Sequence, residues 1–205
     1  MKKTFLIVAA LASFTAFAFA GGDQNQNQYD GEKGQGPAYQ YQIDTPNKDT
    51  LQVRQITEEQ KAIIYGIYEE EKVARDVYIT LGKIYTEEYT FANIQLGEQI
   101  HMDAVRGLCV KYGIDIPELD KDVSVFDLPE MEELYWHYVG QEELSLLDAL
   151  KAGQKIEIMD IADLKDASED MPIDIQNVFN NLLIGSTHHL EAFTIAITRE
   201  ESLNR

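Results

Sequence analysis

Glu98 and His101 stand where a helix facing a core should carry leucine or isoleucine. Residues 91–112, FANIQLGEQIHMDAVRGLCVKY, place apolar side chains at Phe91, Ile94, Val105, Leu108 and Tyr112. Steps of three and four from Ile94 to Val105 pass through Glu98 and His101. Three residues apart on a helix, the two side chains point the same way. A carboxylate drawn into a core needs a partner, a proton or a metal ion to offset its lost hydration. The same interruption recurs at Glu70 or Glu71, at Glu157 and at His189, each on its own apolar stripe. A lone core histidine is more often a satisfied polar group than a ligand. Acids and imidazoles on four stripes compound the cost unless they meet.

The elements that must position these residues are helical. Thr57-Glu58-Glu59-Gln60 has the form of a capping box, so a first long helix starts after Thr57. It runs to about Tyr85 through Ile63, Ile67, Ala74, Val77, Tyr78 and Leu81. Ile67 plus three is Glu70 and plus four is Glu71, and periodicity does not choose between them. Residues 86–90 form a loop, with Thr90 the expected N-cap of the second helix, which ends at Gly113 before Pro117. Residues 114–128 read as irregular. A short helix over about 130–139 follows, with Met131, Leu134, Tyr135 and Tyr138 on one side and His137 off it. A third long helix covers about 143–167 on the stripe Leu147, Leu150, Gln154, Glu157, Ile161, Leu164, with Asp160 one turn after Glu157. Residues 168–174 turn around Pro172. The fourth long helix, about 173–200, faces inward through Ile175, Val178, Leu182, His189, Phe193 and Ala196, with His188 pointing away. No alternating strand pattern occurs. The chain reads as all-α, a four-helix bundle with a short extra helix in the crossover.

Depth along such a bundle can be checked by counting. Residues on antiparallel helices meet if they lie equally far from the turn. Glu157 and His189 have their midpoint at residue 173, inside the predicted turn. Glu71 and Glu98 have theirs near Ile84, a few residues before the loop, so they meet only if part of that loop climbs along the axis.

Glu71-Lys-Val-Ala-Arg-Asp-Val-Tyr78 followed by Glu98-x-x-His101 resembles the first helix pair of rubrerythrin-type ferritin-like proteins. Those proteins carry di-iron carboxylate sites, with a Glu on each of two helices and Glu-x-x-His on each of the others. More closely, EEEKVARDVY, FANI…EQIHMDAV, EIMDIADL and THHLEAF resemble the DUF2202 family of bacterial ferritin-like domains, over about residues 55–200. The resemblance implies a ferritin-like fold and the metal ligands Glu71, Glu98, His101, Glu157 and His189. Asp160 falls at the spacing of a second acid on the third helix. The fourth helix departs from the pattern: three residues before His189 stands Ser186, preceded by Gly185. A mononuclear site, an asymmetric pair using Asp160, and an empty polar core all stay open.

Carboxylate and imidazole ligands without thiolate suit Fe, Mn or Zn. Two irons would make the protein a ferroxidase or peroxidase-type oxidoreductase acting on O₂ or peroxide. Glu98 would bridge, His101 and His189 would be terminal ligands, and Glu71 and Glu157 would complete the set. Tyr78 reads first as core packing and second as a hydrogen-bond donor to a ligand. Two other classes compete: metal binding without turnover, and a helical interaction module whose core acids are satisfied by Tyr, Arg75 or water. The sequence has no cysteine pair for a rubredoxin-like centre.

The remaining sequence sets the context. Lys2 and Lys3, an apolar run from Phe5 to Phe19 and the small residues at Ala18 and Ala20 read as a signal peptide over residues 1–20. The expected destination is the periplasm or the exterior, with no membrane span after cleavage. Residues 21–50, rich in Gln, Asn and Gly, read as a disordered tail, leaving 51–205 as the helical domain. Without Lys2 and Lys3 the chain has 15 Lys+Arg against 36 Asp+Glu, a net charge of −21. That balance argues against nucleic-acid or anionic-lipid partners and suits one that meets cations. Cys109, the only cysteine, reads as a small core residue. Oligomeric state is not readable, a dimer being one option.

Overall fold

The computed structural model describes residues 55–117, 122–140 and 144–203. Five helices and no strands occur among them: α1 (Glu58–Ile84), α2 (Tyr89–Tyr112), α3 (Pro129–Val139), α4 (Leu146–Ala167) and α5 (Ile173–Leu203). The expected leader and tail lie outside the described residues. The long helices α1, α2, α4 and α5 each pack against two of the others, α1 on α2 and α4, and α5 on α4 and α2. The short helix α3 packs on α1.

Helix ends follow local chemistry. The Thr57 hydroxyl accepts from Gln60 N while the Gln60 side chain accepts from Thr57 N, which completes the expected capping box. Gly113 ends α2 in the left-handed conformation, φ 65°, which costs glycine little. Two ends differ from expectation. Helix α2 begins at Tyr89 because Glu88, two residues before the expected cap Thr90, accepts from Thr90 N and Thr90 Oγ1. Helix α4 begins at Leu146, since Ser145 caps it by accepting from Asp148 N.

The apolar core is split into two layers. One joins Val73, Val77, Tyr78 and Leu81 of α1 to Phe91 and Ile94 of α2, Leu150 and Ile156 of α4, and Phe193 and Ile197 of α5. The other joins Ile64, Ile67 and Tyr68 of α1 to Met102, Val105, Leu108 and Cys109 of α2, Leu164 of α4, and Ile175, Phe179 and Leu182 of α5. On every long helix the polar residues singled out above fall between the two layers. The α4 stripe is rotated slightly from the expected one: Gln154 and Ile161 are only partly buried, and Gly153 and Ile156 face inward instead.

Helix α1 is buried on all sides from Glu71 to Tyr78. Its second face holds the crossover. Lys72, fully buried, donates to Asp76 Oδ2 at 2.6 Å and to the Asp122 carbonyl at 2.7 Å, and lies 4.6 Å from the Phe126 ring centroid. Asp76 also accepts from Arg75 and from Ser124 N, and Glu69 accepts from Asp127 N and Leu128 N. Every charge in this cluster is compensated, which makes removal of one member costly. Asp76→Ala is expected to destabilise the domain by about 3–5 kcal/mol by stranding buried Lys72, whereas Lys61→Ala, which breaks the exposed pair with Glu58, costs less than about 1 kcal/mol. Urea unfolding of both variants checks this; equal losses would contradict it.

Candidate metal centre

Between the two apolar layers, all four long helices deliver a carboxylate or imidazole to one place. Glu98 of α2 is the hub. Its Oε2 lies 3.0 Å from His101 Nδ1 and its Oε1 2.8 Å from His189 Nδ1 on α5. Glu71 Oε2 of α1 is 3.2 Å from His101 Nδ1, and Glu157 Oε2 of α4 is 3.6 Å from His189 Nδ1. The two imidazole centroids are 5.3 Å apart. Glu71, Glu98 and Glu157 are each 1% exposed, so no bulk water compensates them. Both pairs found by counting along the helices do meet, Glu157 with His189 directly and Glu71 with Glu98 through His101.

Tyr78 does more than pack. Its hydroxyl donates to Glu157 Oε1 at 2.5 Å, and its ring lies 5.2 Å from Phe193 in the neighbouring apolar layer. The ring is thus core and the hydroxyl fixes one carboxylate. Arg75, considered from sequence as a partner for the core acids, places its guanidinium on Asp76 and Gln99. Glu71, not Glu70, faces the cluster; Glu70 lies beside Asp163, and its Oε2 has no hydrogen-bond partner. His188 and His137 are exposed, as the periodicity requires.

Two glycines whose role the sequence did not reveal, Gly97 and Gly185, shape the site. A Cβ on Gly97 would collide with the ring of His189, and one on Gly185 would collide with the ring of His101. Each glycine precedes the histidine of its own helix by four residues, so α2 and α5 dock reciprocally, ring against bare backbone. The signal was present in the matching spacings Gly97–His101 and Gly185–His189, visible only once the two helices are known to be neighbours.

The buried polar atoms do not satisfy one another. Glu71 Oε1, Glu98 Oε1, His189 Nδ1 and Asp160 Oδ2 have no hydrogen-bond partner. Glu98 Oε1 and His189 Nδ1 are 2.8 Å apart without hydrogen-bond alignment. Orphaned buried donors and acceptors of this kind are rare and costly. They suit a divalent cation, which accepts lone pairs from several directions at once. Ligand atoms of Glu98, His101 and His189 all lie within 4.8 Å of one another, with Glu71 and Glu157 flanking them. Oxygen and nitrogen donors without thiolate fit Fe, Mn or Zn.

The electrostatics follow from the same packing. Burial resists ionisation of Glu98, but His101 and His189 outweigh it and hold its pKa at about 2. Burial and the nearby Glu98 charge raise Glu71 to about 8 and Glu157 to about 7. Burial disfavours imidazolium, yet the surrounding carboxylates push His101 to about 11 and His189 to about 9. Without metal, therefore, protons hold the cluster together, and a cation must displace them.

Below neutral pH, Glu98 contributes stability that is present above pH about 4.5 and lost toward pH 2. The raised groups act oppositely. The native state keeps protons on Glu71 and Glu157 that the unfolded chain gives up near pH 4.5, so their contribution falls from there to pH 7–8. The histidine contributions are intact below about pH 6.5 and are lost as pH passes 9 and 11. The melting temperature of metal-free protein is expected to fall from about pH 6 to about pH 9, read by circular dichroism. A rise over that window would contradict the assignment.

Residues 59–202 match the family model described as "Uncharacterized protein domain (DUF2202)". The chain is 43% identical over 145 residues to Uncharacterized protein MJ0754 of Methanocaldococcus jannaschii, covering 70% of this chain and 78% of the relative. It also superposes on the crystal structure of hypothetical protein MJ0754 from Methanococcus jannaschii with a TM-score of 0.68 and 41% identity, covering 71% of this chain and 83% of the other. The chain belongs to the DUF2202 family.

Proposed function

We propose that this protein is a ferritin-like four-helix bundle whose buried centre binds divalent first-row cations, iron foremost, and uses them in ferroxidase or peroxidase-type redox chemistry. One observation carries the reading: Glu98 reaches two imidazole nitrogens, one on its own helix and one on the neighbouring α5, while buried oxygen and nitrogen atoms around it lack hydrogen-bond partners. A protein selected only for stability would fill this layer with leucine.

Iron bound there would supply the electrons for reducing O₂ or peroxide. The chain's own residues do the rest. Glu98 holds the imidazoles of His101 and His189 on its two oxygens, so these three would be the first to hold a bound cation. His101 and His189 present Nδ1 inward because their opposite edges rest on Gly185 and Gly97. Tyr78 holds Glu157 in place by donating its hydroxyl to Oε1, which leaves Oε2 on the His189 side. The apolar layers above and below exclude bulk water, which strengthens every charge interaction between them. Export, expected from residues 1–20, belongs to this proposal on sequence grounds alone.

Cation binding to the folded state alone raises stability by mass action. At about 100 times the Kd of Fe(II) or Mn(II), the melting temperature is expected to rise by about 5–10 °C, to fall back on chelation, and to ignore the cation in Glu98→Ala. No cation effect, or an equal one in Glu98→Ala, would overturn the reading. Consumption of O₂ or peroxide by the iron-loaded protein separates turnover from storage.

A further inference from the structure

Two five-residue frames face each other across α2 and α5: Gly97-Glu98-Gln99-Ile100-His101 and Gly185-Ser186-Thr187-His188-His189. The glycine of each accepts the histidine ring of the other, so the frames are matched in space as well as in spacing. They differ at the second position, where one carries Glu98 and the other Ser186. Ser186 is fully buried, and its hydroxyl donates to the Leu182 carbonyl at 3.0 Å. It is too short to reach where a glutamate would reach, which leaves that place to another side chain. Asp160 of α4, one turn after Glu157, comes up against Ser186. Its Oδ2 is shut off from solvent and has no hydrogen-bond partner.

Charge balance points the same way. Two divalent cations in a water-poor layer need four carboxylates for neutrality. Glu71, Glu98 and Glu157 supply three, and Asp160 is the fourth acid facing that group.

We propose that Asp160 is a transposed carboxylate: the acid that α2 supplies as Glu98 is supplied on the α5 side by α4, over the shortened Ser186. The centre then takes two divalent cations in unlike ligand sets, Glu71, Glu98 and His101 for one, and Glu98, Glu157, His189 and Asp160 for the other. This rests on the metal-centre reading above and adds the identity of the second position.

Metal-free full-length protein is titrated with Mn(II), and free Mn(II) is followed by electron paramagnetic resonance. Wild type is expected to bind two ions per chain. Asp160→Asn is expected to keep one and to lose the other or weaken it at least about tenfold, a change of about 1.4 kcal/mol. Ser186→Ala, which keeps Asp160, is expected to bind two. The exchange D160S/S186E returns the acid to α5 and is expected to restore two; should Asp160→Asn fail to fold, this exchange decides. Two ions in Asp160→Asn with unchanged affinity, or no restoration in the exchange, would overturn the transposition. One ion in wild type would also overturn it and leave the metal-centre reading standing, whereas none would overturn both.

Discussion

Charged and polar groups buried midway along four helices must be compensated at that depth, and the rest of the structure follows from this. Glu71, Glu98 and Glu157 are removed from water, and an isolated carboxylate in such a place is costly unless it is paired, protonated or bound to metal. Pairing is possible only if α1, α2, α4 and α5 hold one register along their axes. The split of the apolar core into two layers is the visible consequence. Each long helix carries leucine, isoleucine, valine or phenylalanine on both sides of the polar level. A slip of one turn on any helix would bury its acid against aliphatic side chains of a neighbour. Apolar packing therefore stabilises the fold, while the polar layer selects which alignment it takes.

The support for that layer comes from residues with no ionisable role. Gly97 and Gly185 let α2 and α5 approach until each histidine ring lies on the other's backbone. Tyr78 ties the polar layer to the aromatic group of Phe91 and Phe193 below it. The opposite face of α1 is fixed by Lys72, Asp76 and Glu69 against residues 122–128. Glu71 thus sits on a helix that cannot rotate without breaking either the histidine contact or the crossover. Rigidity of this kind favours a preorganised binding site, since little ordering remains to be done when a ligand arrives.

The helices and the polar residues that meet between the two apolar layers were legible because a charged residue on an apolar stripe is a local signal with a known period. Glu98, His101, Glu157 and His189 announced themselves in this way. Counting from the turn placed Glu157 level with His189, whereas Glu71 and Glu98 met only on condition that the loop between them climbed along the axis. Glu71 could not be separated from Glu70 by period, because both lie at the edge of the stripe on a helix buried all round. The family resemblance favoured Glu71, and the contact with His101 agrees. The glycine contacts and the Lys72–Asp76 cluster were not legible, since each depends on which element lies opposite. The α2 cap was expected at Thr90 and lies at Glu88, and the α4 start was expected near 143 and lies at Leu146, because Glu88 and Ser145 accept the first free backbone N–H groups in place of nearby polar residues. The polar level breaks the rule of apolar cores that the other layers obey, and such local violations are where function is expected.

Anomalous X-ray diffraction from crystals grown with Mn(II) or Fe(II) tests the central claim most directly. The account predicts metal density between the Glu98 carboxylate and the Nδ1 atoms of His101 and His189, with Glu71 and Glu157 turned toward it. Direct ion pairs among the same side chains, with no anomalous signal at saturating cation, would contradict it and leave the layer as a charge-paired structural core.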